Sequence, residues 1–287
     1  LEGGESVQGR RLYDAALYWS LAARQAATAA GKAAPAAEAD QTRARRASRD
    51  RGRFTRNFVV QGTAAEWALA WLALLRERLH APALNVDVDW PTYAGKKRHL
   101  PWYLLAAKCL AQNGVRILMH GGGAHTAGRV YTEQLLDTLQ IPLCRNWQQV
   151  ETAFEQGNLA FIPLGDWAPQ LQRMIDLRNT LGLRSPIHSL ARLLNPLNAR
   201  CGLQSIFHPG YQGVHRDASG LLGDNVIVVK GDGGEIEINP DTLSHLYGTT
   251  GGQSWDEEWP ALSAQRHVKP ATLEPEQLKA VWRGDIE

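Results

Sequence analysis

From about residue 81 onward, short apolar runs alternate with stretches whose apolar residues recur at helical spacing. The apolar runs are Val86–Asp89, Val115–His120, Leu159–Pro163, Gln204–His208 and Val226–Lys230, each about the length of a strand. Between them, Pro101–Gln112 stops at Asn113-Gly114, while Gly128–Leu139, Asn146–Glu155, Ala168–Thr180 and Pro186–Leu194 carry helical periodicity. Strands separated by helices return to one sheet as parallel neighbours, so the pattern predicts an α/β domain over 81–287, a mostly parallel sheet flanked by helices. No internal repeat interrupts this order.

The first 80 residues have another character. Residues 22–53 are rich in Ala and Arg, with Gly31 and Pro35 breaking any long helix and seven Arg between Arg43 and Arg56, the composition of a solvated basic segment. Thr63-Ala-Ala-Glu66 is a capping box, and apolar residues at 67, 70, 71, 74 and 75 predict a helix from Thr63 to about Leu79. Ala68, Leu69, Leu72 and Ala73 make that helix apolar nearly all round, as for one with neighbours on several sides.

Charge divides along the same boundary. Residues 1–80 hold 13 Lys/Arg against 8 Asp/Glu, whereas 81–287 hold 18 against 21, so the basic excess sits in the first part. Cys109, Cys144 and Cys201 form no C-x-x-C pair, which argues against a disulfide framework and a cysteine-rich zinc site and sets a reducing cytoplasm as the expected location. No apolar run is long enough for a membrane span and no basic-then-apolar leader opens the chain. The chain opens on Leu1 rather than Met, read here as a fragment.

Candidate binding residues cluster between the first two apolar runs. Lys96, Lys97, Arg98 and His99 lie between Trp90/Tyr93 and Trp102/Tyr103. Cations interleaved with aromatic rings suit single-stranded nucleic acid, cations meeting phosphates and rings stacking bases; the competing reading is a solvated K-K-R run beside core aromatics. His120-Gly121-Gly122-Gly123, with a helix expected to enter near Thr126 and Arg129 in its first turn, offers N–H groups to an anion. His208 follows a strand end, where it either faces the cleft or is a satisfied loop histidine. The nine histidines show no metal-binding spacing, and no structural metal is expected.

Two resemblances add to this. Trp90-Pro-Thr-Tyr-Ala-Gly-Lys-Lys-Arg-His-Leu-Pro-Trp-Tyr-Leu104, followed by Asn113-Gly-Val-Arg-Ile-Leu-Met-His-Gly121, resembles the phosphoribosyl pyrophosphate loop, helix, strand and K-H-G turn of anthranilate phosphoribosyltransferases (glycosyl transferase family 3). Leu177-Arg178 through Leu181-Gly-Leu-Arg184 and Leu193-Leu-Asn-Pro196 resemble that family's V-R-x-x-L-G-x-R-T and L-x-N-P. The resemblance implies a nucleoside phosphorylase/phosphoribosyltransferase-like fold, a homodimer, and phosphate contacts from Thr92, His120, Gly121 and Arg184. On an ungapped count the family's G-T-G-G-D falls on Pro91–Gly95, with Thr92 alone matching directly, and N-x-S-T falls on Pro101–Leu104.

Tyr93 and Ala94 put side chains where bare backbone would meet phosphate, and each lost charge-assisted hydrogen bond is worth roughly 1.5 to 3 kcal/mol. The family's magnesium pair falls on Glu235 and Ile236, leaving Glu235 and, as a substitute, Asp232. No cofactor is therefore required, with Mg²⁺ needed only if transfer is retained. The chain is most similar to a divergent nucleic-acid-binding branch of the family. Its expected ligand is nucleic acid, single-stranded for preference, bound by Thr92, Tyr93, Lys96, Lys97, Arg98, Trp102, His120, Gly121, Gly122, Arg129 and Arg184. The alternative is an active glycosyl or phosphoribosyl transferase with a changed acceptor.

The second resemblance is that Arg53–Glu66 is similar to a palm-domain segment of bacterial family A DNA polymerases, which implies DNA contacts by Arg56, Asn57 and Gln61. The metal-binding aspartates of a polymerase are missing, so no polymerase activity is expected, and a DNA-binding fragment fused to an unrelated domain is a third reading. With this sequence standing where the family has its helical domain, 1–80 is expected to pack poorly, Ala168–Thr180 and Pro186–Leu194 to expose apolar faces, and the dimer to be compromised.

Overall fold

The structure, a computed structural model, describes residues 70–79, 81–123, 126–181, 187–264, 267–268, 270 and 272–286. Contacts divide the chain into Leu1–Ala70 and Trp71–Glu287, and the described residues fall almost wholly in the second unit. Arg56, Asn57, Gln61 and Arg184 lie outside the described residues, as does most of the helix expected from Thr63; its described part is helical over 70–78 (α1).

Seven strands form one sheet: β1 Val88–Thr92, β2 Ile117–Gly121, β3 Leu159–Pro163, β4 Cys201–Ile206, β5 Val226–Lys230, β6 Ser244–Thr250 and β7 Gln253–Trp259, in the order β3-β2-β1-β4-β5-β6-β7. The first five are parallel, as the alternation predicts, and β6 and β7 add an antiparallel hairpin at one edge. Their connections include the helices α2 Tyr103–Gln112, α3 Trp147–Gly157, α4 Pro169–Asp176 and α5 Gln212–Leu221, and α6 Glu276–Arg283 follows β7.

Strand periodicity splits the core between the two faces of the sheet. Ile117 and Met119 of β2 and Leu159 and Phe161 of β3 join Trp90, Tyr103, Leu104 and Leu278 on one face. Leu118, Ala160 and Ile162, one residue out of phase, join Val150 and Phe154 of α3 on the other. Burial on both faces is why these strands read as continuous apolar runs. α3 starts where Asn146 accepts a hydrogen bond from the Gln149 N–H and ends where Asn158 turns left-handed.

Several expectations need correction. Helix does not run through Gly128–Leu139: residues 126–128 form a bend and turn, and helical backbone begins with the 3-10 turn Thr132–Leu135. The segments expected to expose apolar faces bury most of them, since Leu171, Ile175, Ile187, Leu190, Ala191 and Leu193 are core residues, while Leu177 is left exposed. Nor is 71–79 loosely attached. Leu72 is fully buried, and the Arg76 guanidinium bonds to the Leu193 carbonyl and pairs with Asp224 just before β5; Trp71 and Leu74 are exposed, however, so the helix is not covered on several sides as its apolar surface predicts.

Chain order reverses at β1, which runs to β2 on one side and receives β4 on the other. In open α/β sheets, the crevice outside the carboxyl ends of strands at such a switch point is the place for a ligand. Here that crevice lies beyond Thr92 and Ile206.

Candidate functional site

The loop after β1 meets the turn after β5. Gly231 to Glu237 closes over residues 94–96 as a strap containing a 3-10 turn at Asp232–Gly234. Gly234 has φ +91°, and a Cβ there would stand 3.1 Å from the Ala94 methyl, so only glycine lets the strap lie this close. Three side chains fasten the two segments. Glu235 Oε1 accepts the backbone N–H of Ala94 and of Gly95, both at 2.6 Å. Lys96 Nζ pairs with Asp232 Oδ2 at 2.7 Å and with Glu237 Oε2 at 2.9 Å. One guanidinium nitrogen of Arg129 donates to the carbonyls of Ala94, Gly95 and Gly233.

This arrangement changes the role of several predicted residues. Lys96 is 1% exposed and neutralised by the strap carboxylates, so it is no surface phosphate ligand. Asp232 and Glu235, the candidates for magnesium, are spent on Lys96 and on the loop N–H groups. Among the described residues no group of three or more His, Cys, Asp or Glu could hold a metal ion. The donor set does not fit a magnesium diphosphate. Burial pushes the Glu235 carboxyl up, against Arg192, the two N–H donors and Lys96, which favour the ion. Burial likewise raises Glu237 to about 7, with Lys96 opposing.

A second, drier network lies beneath the loop. Tyr93 Oη is 2.8 Å from His120 Nδ1, and His120 Nε2 is 3.1 Å from Asp89 Oδ1. Tyr93 and His120 are both fully enclosed, and the indole of Trp167 meets His120 edge-on. Burial, followed by the Asp89 charge, holds the Tyr93 phenol well above its ordinary value. Thr92 is buried and its hydroxyl donates to the His120 carbonyl at 3.3 Å. Packing accounts for the first glycine of the predicted anion turn. A Cβ on Gly121 would fall 2.4 Å from the Thr92 carbonyl oxygen, and Gly122 faces the Tyr93 ring. Of the four aromatics expected to stack bases, Trp90, Tyr93 and Tyr103 are core residues and Trp102 alone is exposed.

Open, cationic space lies next to the loop. A cavity of about 700 Å³, lined by Lys97, Arg98, Arg129, Phe207, His208 and Lys230 among others, opens at the carboxyl ends of β4 and β5. Its volume is that of a ligand cleft. The side chains of Lys97, Arg98 and Lys230 reach solvent, and Phe207 is 51% exposed. Asp232, the one carboxylate in the lining, is held by Lys96. The sequence reading found Lys97, Arg98, Arg129 and, as one of two options, His208. It missed Phe207 and Lys230, whose positions one residue past β4 and at the end of β5 mark them once the strand ends are known.

No family model matches the chain. Curated relatives include the uncharacterized protein YbiB of Escherichia coli, 26% identical over 158 residues, covering 54% of this chain and 49% of the relative. An uncharacterized protein of Aquifex aeolicus is 27% identical over 189 residues, covering 63% and 56%. An anthranilate phosphoribosyltransferase of Synechococcus is 30% identical over 149 residues, covering 52% and 42%. The chain thus spans about half the length of the curated relatives it matches.

Among solved structures, anthranilate phosphoribosyltransferase from Thermus thermophilus superposes with a TM-score of 0.55 at 23% identity, over 75% of this chain and 66% of that one. The Saccharomyces cerevisiae enzyme in complex with PRPP and Mg gives 0.59 at 16% identity, over 77% and 63%. The fold is therefore that of the anthranilate phosphoribosyltransferases. None of these proteins is a polymerase, and the polymerase resemblance gains no support from them.

Proposed function

We propose that this chain is a phosphoribosyltransferase-fold protein that binds nucleic acid, single-stranded for preference, in the cationic cavity beyond β4 and β5, and that it does not transfer phosphoribosyl groups to anthranilate. One observation carries the reading: the two loop N–H groups are taken up by Glu235, while the accessible cations Lys97, Arg98 and Lys230 surround open space beside an exposed Phe207. A polyanion with stackable bases matches that surface, cations meeting phosphates and Phe207 offering a ring. A sugar diphosphate with magnesium, such as the yeast complex holds, would meet an Ala94/Gly95 N–H pair already bonded to Glu235 and an Asp232 already paired with Lys96.

The test is fluorescence anisotropy of a labelled single-stranded oligonucleotide at low salt. Binding is expected to weaken with added salt and with Lys97→Ala, Arg98→Ala and Lys230→Ala combined. Binding that is absent, or indifferent to the triple variant, overturns the nucleic-acid reading. Magnesium-dependent consumption of phosphoribosyl pyrophosphate by the purified chain would restore the transferase.

A further inference from the structure

Inside the cavity beyond β4 and β5, one polar group is fixed in place and left unused. Gln212, the first residue of α5, is 5% exposed and lines that cavity. Its Nε2 donates to the His245 carbonyl in β6, 2.8 Å away, and the bond decides which end of the amide is which, because a carbonyl needs a donor. The other end, Oε1, has no bond within the described residues yet is not sealed from solvent, so it opens on the cavity. A buried acceptor held in one orientation calls for a donor. The phosphate of a nucleic-acid backbone is ionised and offers none, so Gln212 meets another part of the ligand.

Gln212 and Phe207 stand at the two ends of the short connection between β4 and α5, and both line the cavity. The half-exposed Phe207 ring is met edge-on by the His208 ring, with centroids 5.0 Å apart, which steadies it as a platform. A ring and an acceptor supplied by one turn of chain suit the face and the edge of one base. We propose that Gln212 reads the base stacked on Phe207 and selects one that presents an exocyclic amino group, cytosine over uracil or thymine among the pyrimidines. Cytosine carries its N4 amine where thymine and uracil carry the O4 acceptor, which would face Gln212 Oε1 acceptor to acceptor. The N3–H of uracil is flanked by carbonyl oxygens on both sides, so approach through it meets the same repulsion. The inference rests on the nucleic-acid reading of the cavity and adds the identity of the favoured base.

The experiment titrates the full chain with labelled oligodeoxycytidine and oligodeoxyuridine of equal length at one salt concentration. Backbone charge is the same in both, so the ratio of their dissociation constants isolates the base edge. Wild type is expected to bind the cytidine strand about threefold to tenfold more tightly, the worth of one neutral hydrogen bond. Gln212→Met keeps the length of the side chain without its acceptor, and its ratio is expected to fall to about one. A purely structural role for Gln212 would weaken both strands together and leave the ratio as it was. Equal binding of the two strands by wild type overturns the proposal, and so does a folded Q212M that keeps the preference.

Should Q212M fail to fold, the change is made in the ligand. A strand of the cytosine analogue that lacks the 4-amino group is offered to wild type, and it is expected to lose the advantage of the cytidine strand; retention of that advantage overturns the proposal. A ribose strand supplies a further check. If wild type prefers RNA to DNA of the same bases and Q212M does not, the acceptor serves the 2′-hydroxyl and the base assignment falls. Binding without discrimination removes this inference alone, whereas absence of binding to every strand removes the nucleic-acid reading and this inference with it.

Discussion

Lys96 Nζ lies 2.9 Å from Glu237 Oε2, tying the loop after β1 to a residue 141 positions further along the chain. With its second bond to Asp232, this lysine is a buried ion-pair hub whose partners keep 31% and 18% of their side-chain surface exposed. Removing one member of a buried pair strands the others, at about 3 to 5 kcal/mol when fully enclosed. The partial exposure of Asp232 and Glu237 reduces that figure. Lys96→Met is expected to lower stability by about 2 to 3 kcal/mol in urea unfolding. A change within about 0.5 kcal/mol, the size of an ordinary surface substitution, would return Lys96 to the solvated K-K-R run.

Glu237 and His215 make opposite demands on pH. Burial raises Glu237 from 4.5 to about 7, so between those values the folded chain binds more protons than the unfolded. The stability this group contributes is full below 4.5 and is lost as pH rises through 7. Burial, with Arg192, lowers His215 from 6.5 to about 4, and its ring is held 3.0 Å from Gln204 Oε1. Its contribution is full above 6.5 and is lost as pH falls through 4. Glu237→Gln removes the first effect alone. The stability difference between pH 5 and pH 7.5 should therefore change by about 2 to 3 kcal/mol relative to wild type, with loss on alkalinisation reduced. Urea unfolding at the two pH values measures it, and an unchanged difference would place Glu237 in water.

Tyr93 is a buried, bonded ring in the loop after β1. Its hydroxyl meets His120 Nδ1 at 2.8 Å in a site without water access. Tyr93→Phe keeps the packing, leaves that nitrogen unpaired and should cost about 1 to 3 kcal/mol. Unfolding midpoints of Y93F and wild type decide the matter, and equality would mean that His120 needs only Asp89.

The parallel strands were legible because both of their faces are buried. Leu159–Pro163 and Val226–Lys230 are read from sequence with the ends they have in the structure. β1 was started two residues early and ended three early, its end masked by Pro91, which lies in the strand opposite His120 although proline usually marks an edge. The ladder to β4 ends at Asp89, so the missing N–H of Pro91 interrupts nothing on that side. β6 and β7 were missed because polar residues such as Asp256, Glu257 and Glu258 dominate an exposed edge strand. The signal present was Gly251-Gly252, a hairpin turn pair between two runs. α5 was missed because Gly213 and Gly220 lower its helix propensity.

The candidate site was legible in composition and obscured in geometry. Four consecutive residues, Lys96 to His99, look equivalent on paper. Yet Lys96 exchanges backbone hydrogen bonds with Val130, which turns its side chain inward toward carboxylates on the strap. Lys97 and Arg98 are left to the cavity. Burial of one cation in a run is decided by partners over a hundred residues away, and local pattern carries no trace of them.

On the proposed function, charge at the cavity would set the form of nucleic-acid binding. Lys97, Arg98 and Lys230 are its accessible cations, since one Arg129 nitrogen is committed to three carbonyls and Lys96 is neutralised. Three neutralised phosphates on a single strand predict a slope of about −2 in log affinity against log salt, and each alanine substitution should reduce it by about 0.7. Phe207→Ala removes a stacking surface and no charge, so it should cost about 1 to 3 kcal/mol while leaving the slope alone. The acidic edge Asp256–Glu258 repels a polyanion spreading across the sheet, which favours a short footprint at the carboxyl ends of the strands. Anisotropy titrations across salt concentrations separate the two effects. A slope much steeper than −2 would mean cations outside the cavity dominate, and a slope shared by Phe207→Ala and Lys230→Ala would remove the ring from the contact.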